Sequence, residues 1–525
     1  MSLTIFLSGI FSLTILLVLT SSRHLRFPEI PRVGKKAGFW DFTRIAVKRE
    51  FVLNGHHLVD EGYKKYKDEP FIVQTEDMER LILPHKFLAE LRMLPQTKLD
   101  QSTALIERWL GRFSGVDVIL KSRHHSDVCR VQLTQNLPQF IPDMASELSF
   151  AMAKPLSHCN SRDYTPISAY AFVYSMILAV SSRVFVGLPL SRDQAWLDTI
   201  SAYLNEVVFI ANTLRPYPRV LRPILRFILA PESRMDAILA KALEILGPAI
   251  QERQKPGYEA NDLLGFLIST SDIVDPKDII LKLLVLNSAA LHTSTMVAVH
   301  TLYDLCERPT YIPDLRAEIK DAFKEDNGSW KYSSMTKLRK LDSFMKESMR
   351  YNQPNTLSFD RIVLTPHTLS TGLHLPKGTF VSMAASSLSR DPTYYTGPSP
   401  PSTFNPSRFY QSLAQIQTGT SNPLQDFTGI EPGNLAWGNG RQTCPGRWYA
   451  GAVIKLVVGA ILEGYELKFP EGVRRPENVY WNAGIMPFDG FWDECEKNAK
   501  DVELSCKGIV ASFPNTAVQR QILIH

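Results

Sequence analysis

The 525-residue sequence contains no Gly/Ser linker, no low-complexity tract and no internal repeat. Its length could serve several domains, but nothing in it marks a division, and one large domain is expected. Cysteine is scarce and dispersed: Cys129, Cys159, Cys306, Cys444, Cys495 and Cys506 form no CxxC pair and have no close histidine cluster. That argues against a zinc site or a disulfide framework and suits a reducing compartment. A surplus of one charge is lacking as well, because 58 Lys and Arg against 53 Asp and Glu leave only +5. No nucleic-acid partner is expected from so small an excess.

Near the amino terminus charge is absent altogether. Leu3 to Leu19 is an uncharged apolar run close to the minimum for crossing a bilayer. No basic n-region precedes it, which disfavours the competing reading of a cleaved signal peptide. Arg23, His24 and Arg26 follow, and the positive-inside rule puts that flank in the cytosol. The expected organisation is therefore a transmembrane signal anchor over 1–22, a basic and proline-rich hinge over 23–38 (with Pro28 and Pro31), a main domain over 39–487 and an atypical tail over 488–525.

What is present is most concentrated from Trp437 to Gly446, reading Trp-Gly-Asn-Gly-Arg-Gln-Thr-Cys-Pro-Gly. Gly438, Gly440 and Gly446 permit backbone conformations closed to other residues and let a bulky planar partner approach the main chain. The apolar run from Trp448 to Leu462 is long enough for a buried helix. Cys444 thus precedes a helix N-terminus, where amide N–H groups and the macrodipole favour a metal-binding thiolate. Taken alone, the loop also reads as a turn around a structural cysteine.

The segment resembles the haem-binding loop of the cytochrome P-450 family, whose pattern is Phe-Gly-x-Gly-x-Arg-x-Cys-x-Gly. In that family the Cys is the proximal thiolate ligand of haem iron, the role the resemblance implies for Cys444. Trp437 stands where Phe is usual. Gln442 stands where Arg or His meets a haem propionate, keeping a hydrogen-bond donor and losing a charge.

Three more motifs follow the family's order. A long apolar helix is expected over Leu281 to Leu305, interrupted by Ala289-Ala290-Leu291-His292-Thr293, which resembles Ala-Gly-x-(Asp/Glu)-Thr with His292 in place of the acid. Helical spacing puts Ala289, His292 and Thr293 on neighbouring positions of one face. By resemblance Thr293 delivers protons beside bound dioxygen and His292 assists, since imidazole titrates in the useful range; a hydroxyl bonding back to the preceding turn is the alternative. Glu347 and Arg350 are spaced to pair on a helix, as many solvated residues do. The resemblance makes them the Glu-x-x-Arg motif, with Arg408 of Phe404-Asn-Pro-Ser-Arg-Phe as third partner and a purely supporting role. It also assigns propionates to Arg361 and to Arg130, the latter equally a solvated helix arginine, and makes residues 355–359 line the distal pocket.

The fold class implied is mainly α with small β-sheets, preceded by an N-terminal transmembrane helix. The function implied is a haem-dependent monooxygenase of the endoplasmic reticulum membrane, its catalytic domain facing the cytosol. It would take O2, electrons from NADPH through NADPH-cytochrome P-450 reductase, and an apolar small-molecule substrate. Within the family the chain looks most like fungal members that oxidise terpenoids, such as ent-kaurene oxidases and indole-diterpene enzymes. An oxygen-independent haem-thiolate isomerase or dehydratase and a non-catalytic membrane haem-binding protein are the competing classes. Two stretches depart from expectation for a globular surface. Arg215, Arg219, Arg222 and Arg226 lie among apolar residues that could rest on anionic lipid. The tail after Phe488 lacks the Arg-rich closing strand of relatives and is expected to pack poorly.

Overall fold

The computed structural model describes residues 27–36 and 45–487, with interruptions at 77, 158, 160–162, 325, 327, 396–398, 411–417 and 420–421, together with the strand at 503–508 and positions 9 and 12. The anchor expected over 1–22 lies outside the described residues but for those two positions. The principal helices are α1 (Ile45–Lys65), α2 (Gln101–Trp109), α3 (Leu137–Ala153), α4 (Ala169–Val186), α5 (Gln194–Leu214), α6 (Arg222–Leu229), α7 (Glu232–Arg253), α8 (Pro276–Glu307), α9 (Ile312–Lys324), α10 (Arg339–Tyr351) and α11 (Arg447–Gly464).

α4, α8 and α11 are apolar on nearly every side and therefore sit at the centre, α4 against α3, α8 and α11, and α8 also against α5, α7 and α10. α4 and α8 are long and apolar enough to cross a membrane, yet about two thirds of each apolar window is buried inside the fold, as a core helix requires. α8 begins one turn earlier than its apolar run, because the Asp275 carboxylate accepts from Lys277 N and Pro276 fits the first helical position. α2 lies in a stretch that mixes Gln, Ser, Thr and Leu without a clear apolar period. Its helix is started by a cap, Asp100 accepting from Ser102 N and Thr103 N, rather than by an apolar stripe.

In chain order the strands are β1 (Arg32–Val33), β2 (Phe71–Gln74), β3 (Glu79–Ile82), β4 (Leu99–Asp100), β5 (Thr165–Ser168), β6 (Ser358–Val363), β7 (His367–Thr368), β8 (His374–Leu375), β9 (Phe380–Met383), β10 (Tyr465–Lys468), β11 (Val479–Trp481), β12 (Gly484–Met486) and β13 (Glu503–Gly508). One six-stranded sheet runs β1-β2-β3-β9-β6-β4, and β7-β8 and β11-β12 are two-stranded. β13 pairs antiparallel with β10 on one edge and β5 on the other. This corrects the expectation for the tail: residues 503–508 are the middle strand of a sheet. Residues 488–502 and 509–525 lie outside the described residues.

The arginine-rich stretch also differs from expectation. Arg215 reaches Glu76 at 3.3 Å and the Arg108 carbonyl at 2.8 Å, Arg222 reaches the carbonyls of Tyr217 and Arg215, and Arg226 that of Phe113. Arg219 alone of the four is on the surface, paired with Glu107. The outer face of α6 is instead Ile224, Phe227 and Ile228, with Phe227 83% exposed. Turning the guanidiniums inward to backbone carbonyls leaves an apolar surface where a basic one was expected.

Candidate active site

The loop before α11 is shaped by two glycines with left-handed backbones, Gly438 (φ 73°) and Gly440 (φ 75°). A Cβ at Gly440 would fall 2.2 Å from the Arg92 carbonyl oxygen, so no other residue fits there. The Cys444 N–H donates to the Trp437 carbonyl at 2.9 Å and closes the loop. Gly446 corrects the sequence reading: its φ of −92° is ordinary. What its missing side chain gives is room, since a Cβ there meets nothing within 4 Å. The Trp437 ring is held by its Nε1, which donates to the Phe427 carbonyl at 2.9 Å, and by an edge contact with the Phe427 ring.

Cys444 carries a free thiol. Burial raises its pKa, and the Gly446 N–H and the Arg447 guanidinium only partly oppose this. The helix start alone therefore does not make a thiolate, contrary to expectation. A coordinated metal cation would, because it deprotonates the thiol outright.

Around the loop, the residues expected to meet propionates divide. Arg361 is 2% exposed, and its guanidinium donates to the Asp360 carbonyl at 2.8 Å and lies 3.5 Å from the Gln442 carbonyl. Among the described residues no carboxylate forms an ion pair with it, and burial pulls its pKa down to about 10. The Asp360 and Asp100 carboxylates act on it only from beyond ion-pair distance and do not offset the burial, so an incoming anion would stabilise this cation further. The backbone aims it there: a bulge in β6 between Ser358 and Arg361 shifts the register, with Phe359 at φ 58° and its ring under the guanidinium. Gln442, by contrast, accepts from Gln101 N at 2.7 Å and donates to the Leu99 carbonyl at 2.7 Å, so its amide ties the loop to the sheet. Arg130 is exposed, lies 3.8 Å from Asp127, and its charge is felt at Arg447 beside the loop.

Behind the loop, Glu347 is clamped by two guanidiniums. Arg350 binds both its oxygens at 2.7 and 2.8 Å, and Arg408 Nε lies 3.2 Å away. The remaining donors are used too, Arg350 on the carbonyls of Ser389 and Pro401 and Arg408 on those of Ser399 and Thr403. A buried carboxylate between two satisfied guanidiniums fixes α10 to residues 399–408.

On α8, only Ala289 and Thr293 are exposed between Ile279 and Leu305, one turn apart on a helix otherwise buried or half-buried. Thr293 Oγ1 donates to the Ala289 carbonyl at 2.8 Å. Its proton is thereby committed, and its oxygen remains an acceptor on the open side. His292 does not share that face. Its Nδ1 lies 2.7 Å from the Tyr170 hydroxyl, the Tyr174 ring is 5.6 Å away, and burial lowers its pKa to about 4. It is neutral near pH 7 and packs against α4, which corrects the expected acid-like role. The sequence reading also missed Lys346, a fully buried lysine beside Glu347.

A profile of the cytochrome P-450 family matches residues 92–488. The chain belongs to the cytochrome P-450 family. It is 35% identical over 468 residues to a cytochrome P-450 monooxygenase of Emericella nidulans, an alignment covering 87% of this chain and 86% of the relative. With an ent-kaurene oxidase of Gibberella intermedia it shares 30% identity over 90% of this chain and 88% of that one. In fold it is similar to the crystal structure of the cytochrome P-450DA haem domain, with a TM-score of 0.67 at 16% identity over 91% of this chain and 98% of that one. As a cytochrome P-450 it is an oxygen-incorporating oxidoreductase with a haem-thiolate cofactor, taking a small molecule and O2. The residues present fit that cofactor: a free thiol in a closed loop, room at Gly446, and at Arg361 a buried cation whose charge is only partly offset by Asp360 and Asp100.

Proposed function

We propose that this cytochrome P-450 hydroxylates or further oxidises an apolar terpenoid intermediate of fungal secondary metabolism, with Cys444 as the axial haem ligand. The observation that carries the site is the Cys444 thiol, free and fixed by its own N–H to Trp437 in a loop that Gly438 and Gly440 shape. The substrate class rests on the likeness to ent-kaurene oxidases, three of which are similar to the chain over about 90% of its length. When bound, haem supplies oxygen activation and oxidation of an unactivated C–H bond. Cys444 would donate electron density to it, and Arg361 would neutralise a propionate. Trp437 would wall the loop side. Thr293 Oγ1, its own proton given to Ala289, would accept from a water and hold it where a proton is needed.

Electrons would come from NADPH through NADPH-cytochrome P-450 reductase. The enzyme would sit in the endoplasmic reticulum membrane on the 1–22 anchor, with its body in the cytosol. The apolar outer face of α6 supports contact with lipid, and its inward arginines favour acyl chains over anionic headgroups. Two measurements test the reading. Cys444→Ser, reduced and exposed to carbon monoxide, is expected to lose the red-shifted Soret band of thiolate ligation; retention of that band overturns the ligand assignment. Microsomes carrying the protein and a reductase, given a panel of terpenoid and polyketide intermediates, are expected to form NADPH-dependent products 16 mass units heavier, a shift of about one oxygen atom, from the terpenoids. Products formed without NADPH or O2 would point to an isomerase instead.

A further inference from the structure

α10 carries a buried charge that its Glu-x-x-Arg pair leaves unexplained. Lys346 is 0% exposed, and its Nζ donates to the carbonyls of Leu424 and Asp426, the latter at 3.0 Å, with the Gly429 carbonyl at 3.5 Å. Glu431 supplies a carboxylate at 2.9 Å, and the Phe409 ring lies 4.9 Å away. The three N–H donors of an ammonium are thus shared among four acceptors, all of them within residues 424–431. Arg339 adds a second tie to the same stretch through Asp426.

That stretch leads into the Cys444 loop. The Phe427 carbonyl holds Trp437 Nε1, Glu431 bridges to Asn434, and the Leu435 carbonyl accepts from Ser358 Oγ and Gly438 N. The Trp437 carbonyl then takes the Cys444 N–H. A continuous line of contacts therefore runs from Lys346 to Cys444. Its neighbour Glu347 serves another segment, binding Asn405 N and Arg408 and, through Arg350, the Pro401 carbonyl. Adjacent residues of one helix hold two different stretches of chain.

We propose that Lys346 is a positioning residue for the axial cysteine: its ammonium gathers residues 424–431 so that Trp437 and Cys444 are presented for ligation. The proposal rests on Cys444 being the axial ligand. Without the ammonium, the Glu431 carboxylate and three carbonyl oxygens face one another away from water, and the stretch has to open to solvate them. Glu431 is then the source of the damage, so neutralising it should restore part of the geometry.

The test uses the full-length chain with Lys346→Met, Glu431→Gln and the double variant, read by the carbon monoxide spectrum of the reduced protein beside helical circular dichroism and melting. Lys346→Met is expected to keep its helical signal while the share of haem in the thiolate-ligated form falls at least about fivefold. The double variant should recover at least about twofold over Lys346→Met. A wild-type share of thiolate form in Lys346→Met overturns the proposal, as does a double variant no better than the single. If Lys346→Met does not fold, Glu431→Gln decides: a loss of thiolate form at unchanged melting supports the proposal, and an unchanged spectrum overturns it. Wild type and Cys444→Ser run alongside, so a failure of the ligand assignment shows in them and is not charged to Lys346.

Discussion

The region behind the Cys444 loop and the middle of α8 are built on opposite plans. Behind the loop, Glu347, Arg350, Arg408, Lys346 and Glu431 are charged and sequestered, and each is satisfied by partners from distant parts of the chain. On α8, Thr293 bonds among the described residues to its own helix alone, and the residue stays exposed. Support is made from charged groups already held by opposite charges, and the candidate chemistry from a group left under-committed. The two regions should therefore fail differently, the first by losing the cofactor and the second by misdirecting its chemistry.

The strongest way to break that contrast is Glu347→Gln. It leaves two buried guanidiniums without their counter-charge, a loss on the order of 3–5 kcal/mol for removing one partner of a buried pair. The haem-to-protein ratio of the purified enzyme is expected to fall to about a tenth of wild type or less, with a lower melting temperature. Arg350→Lys should fare little better, because an ammonium cannot reproduce the two-pronged contact with both Glu347 oxygens. Full haem content in Glu347→Gln would show that the clamp is not what holds the loop.

The same contrast explains how much could be read from the sequence. Cys444 and the glycines at 438 and 440 were legible because a positive φ and a close backbone approach leave glycine as the residue that fits. Glu347 and Arg350 were legible as an i, i+3 pair, but Arg408 required the motif, since nothing local brings residue 408 to residue 347. Lys346 was invisible because its burial depends on carbonyls about 80 residues away. Helical spacing placed His292 beside Thr293 and could not say that α4 would stand next to it with Tyr170 and Tyr174. The arginines of 215–226 misled for a related reason: sequence gives their charge, while the direction they point is set by carbonyls on neighbouring segments. The strand at 503–508 lacks the Arg-rich composition that the resemblance led one to expect, yet backbone pairing to β10 and β5 needs no particular side chains.

Thr293→Ala sharpens the comparison from the other side and should have a smaller, different effect. Its hydroxyl makes one helix-internal bond, so its loss costs little stability, on the order of 1 kcal/mol. Haem content and the thiolate spectrum are expected to remain at wild-type values. Product formed per NADPH should fall several-fold and hydrogen peroxide release should rise, because the water that Thr293 Oγ1 would hold loses its anchor, and positioned proton transfer typically contributes about 10²-fold or more to its step. Loss of haem in this variant would place Thr293 with the support instead.

His292→Gln should give the smallest effect on chemistry and a measurable one on stability. Burial lowers the His292 pKa from 6.5 to about 4, so between those values the unfolded chain binds a proton that the folded chain refuses. The folded-state pKa is the depressed one. The contribution is therefore fully present above pH 6.5 and is lost as pH falls through the window towards 4. One such proton gives a slope of up to about 1.4 kcal/mol per pH unit. His56 and His125, also lowered to about 4, and His300, lowered to about 3, act in the same direction and form the background. Replacing His292 with Gln keeps a hydrogen-bonding group for the Tyr170 hydroxyl and removes one titrating proton. The melting temperature of the variant should fall less steeply than that of wild type as pH drops from 6.5 to 4, the window set by the His292 pKa. At neutral pH, where His292 is already uncharged and turned to α4, product formed per NADPH should change by less than about twofold. A loss of coupling equal to that of Thr293→Ala would mean that His292 reaches the open face after all, and that the two residues act as one unit.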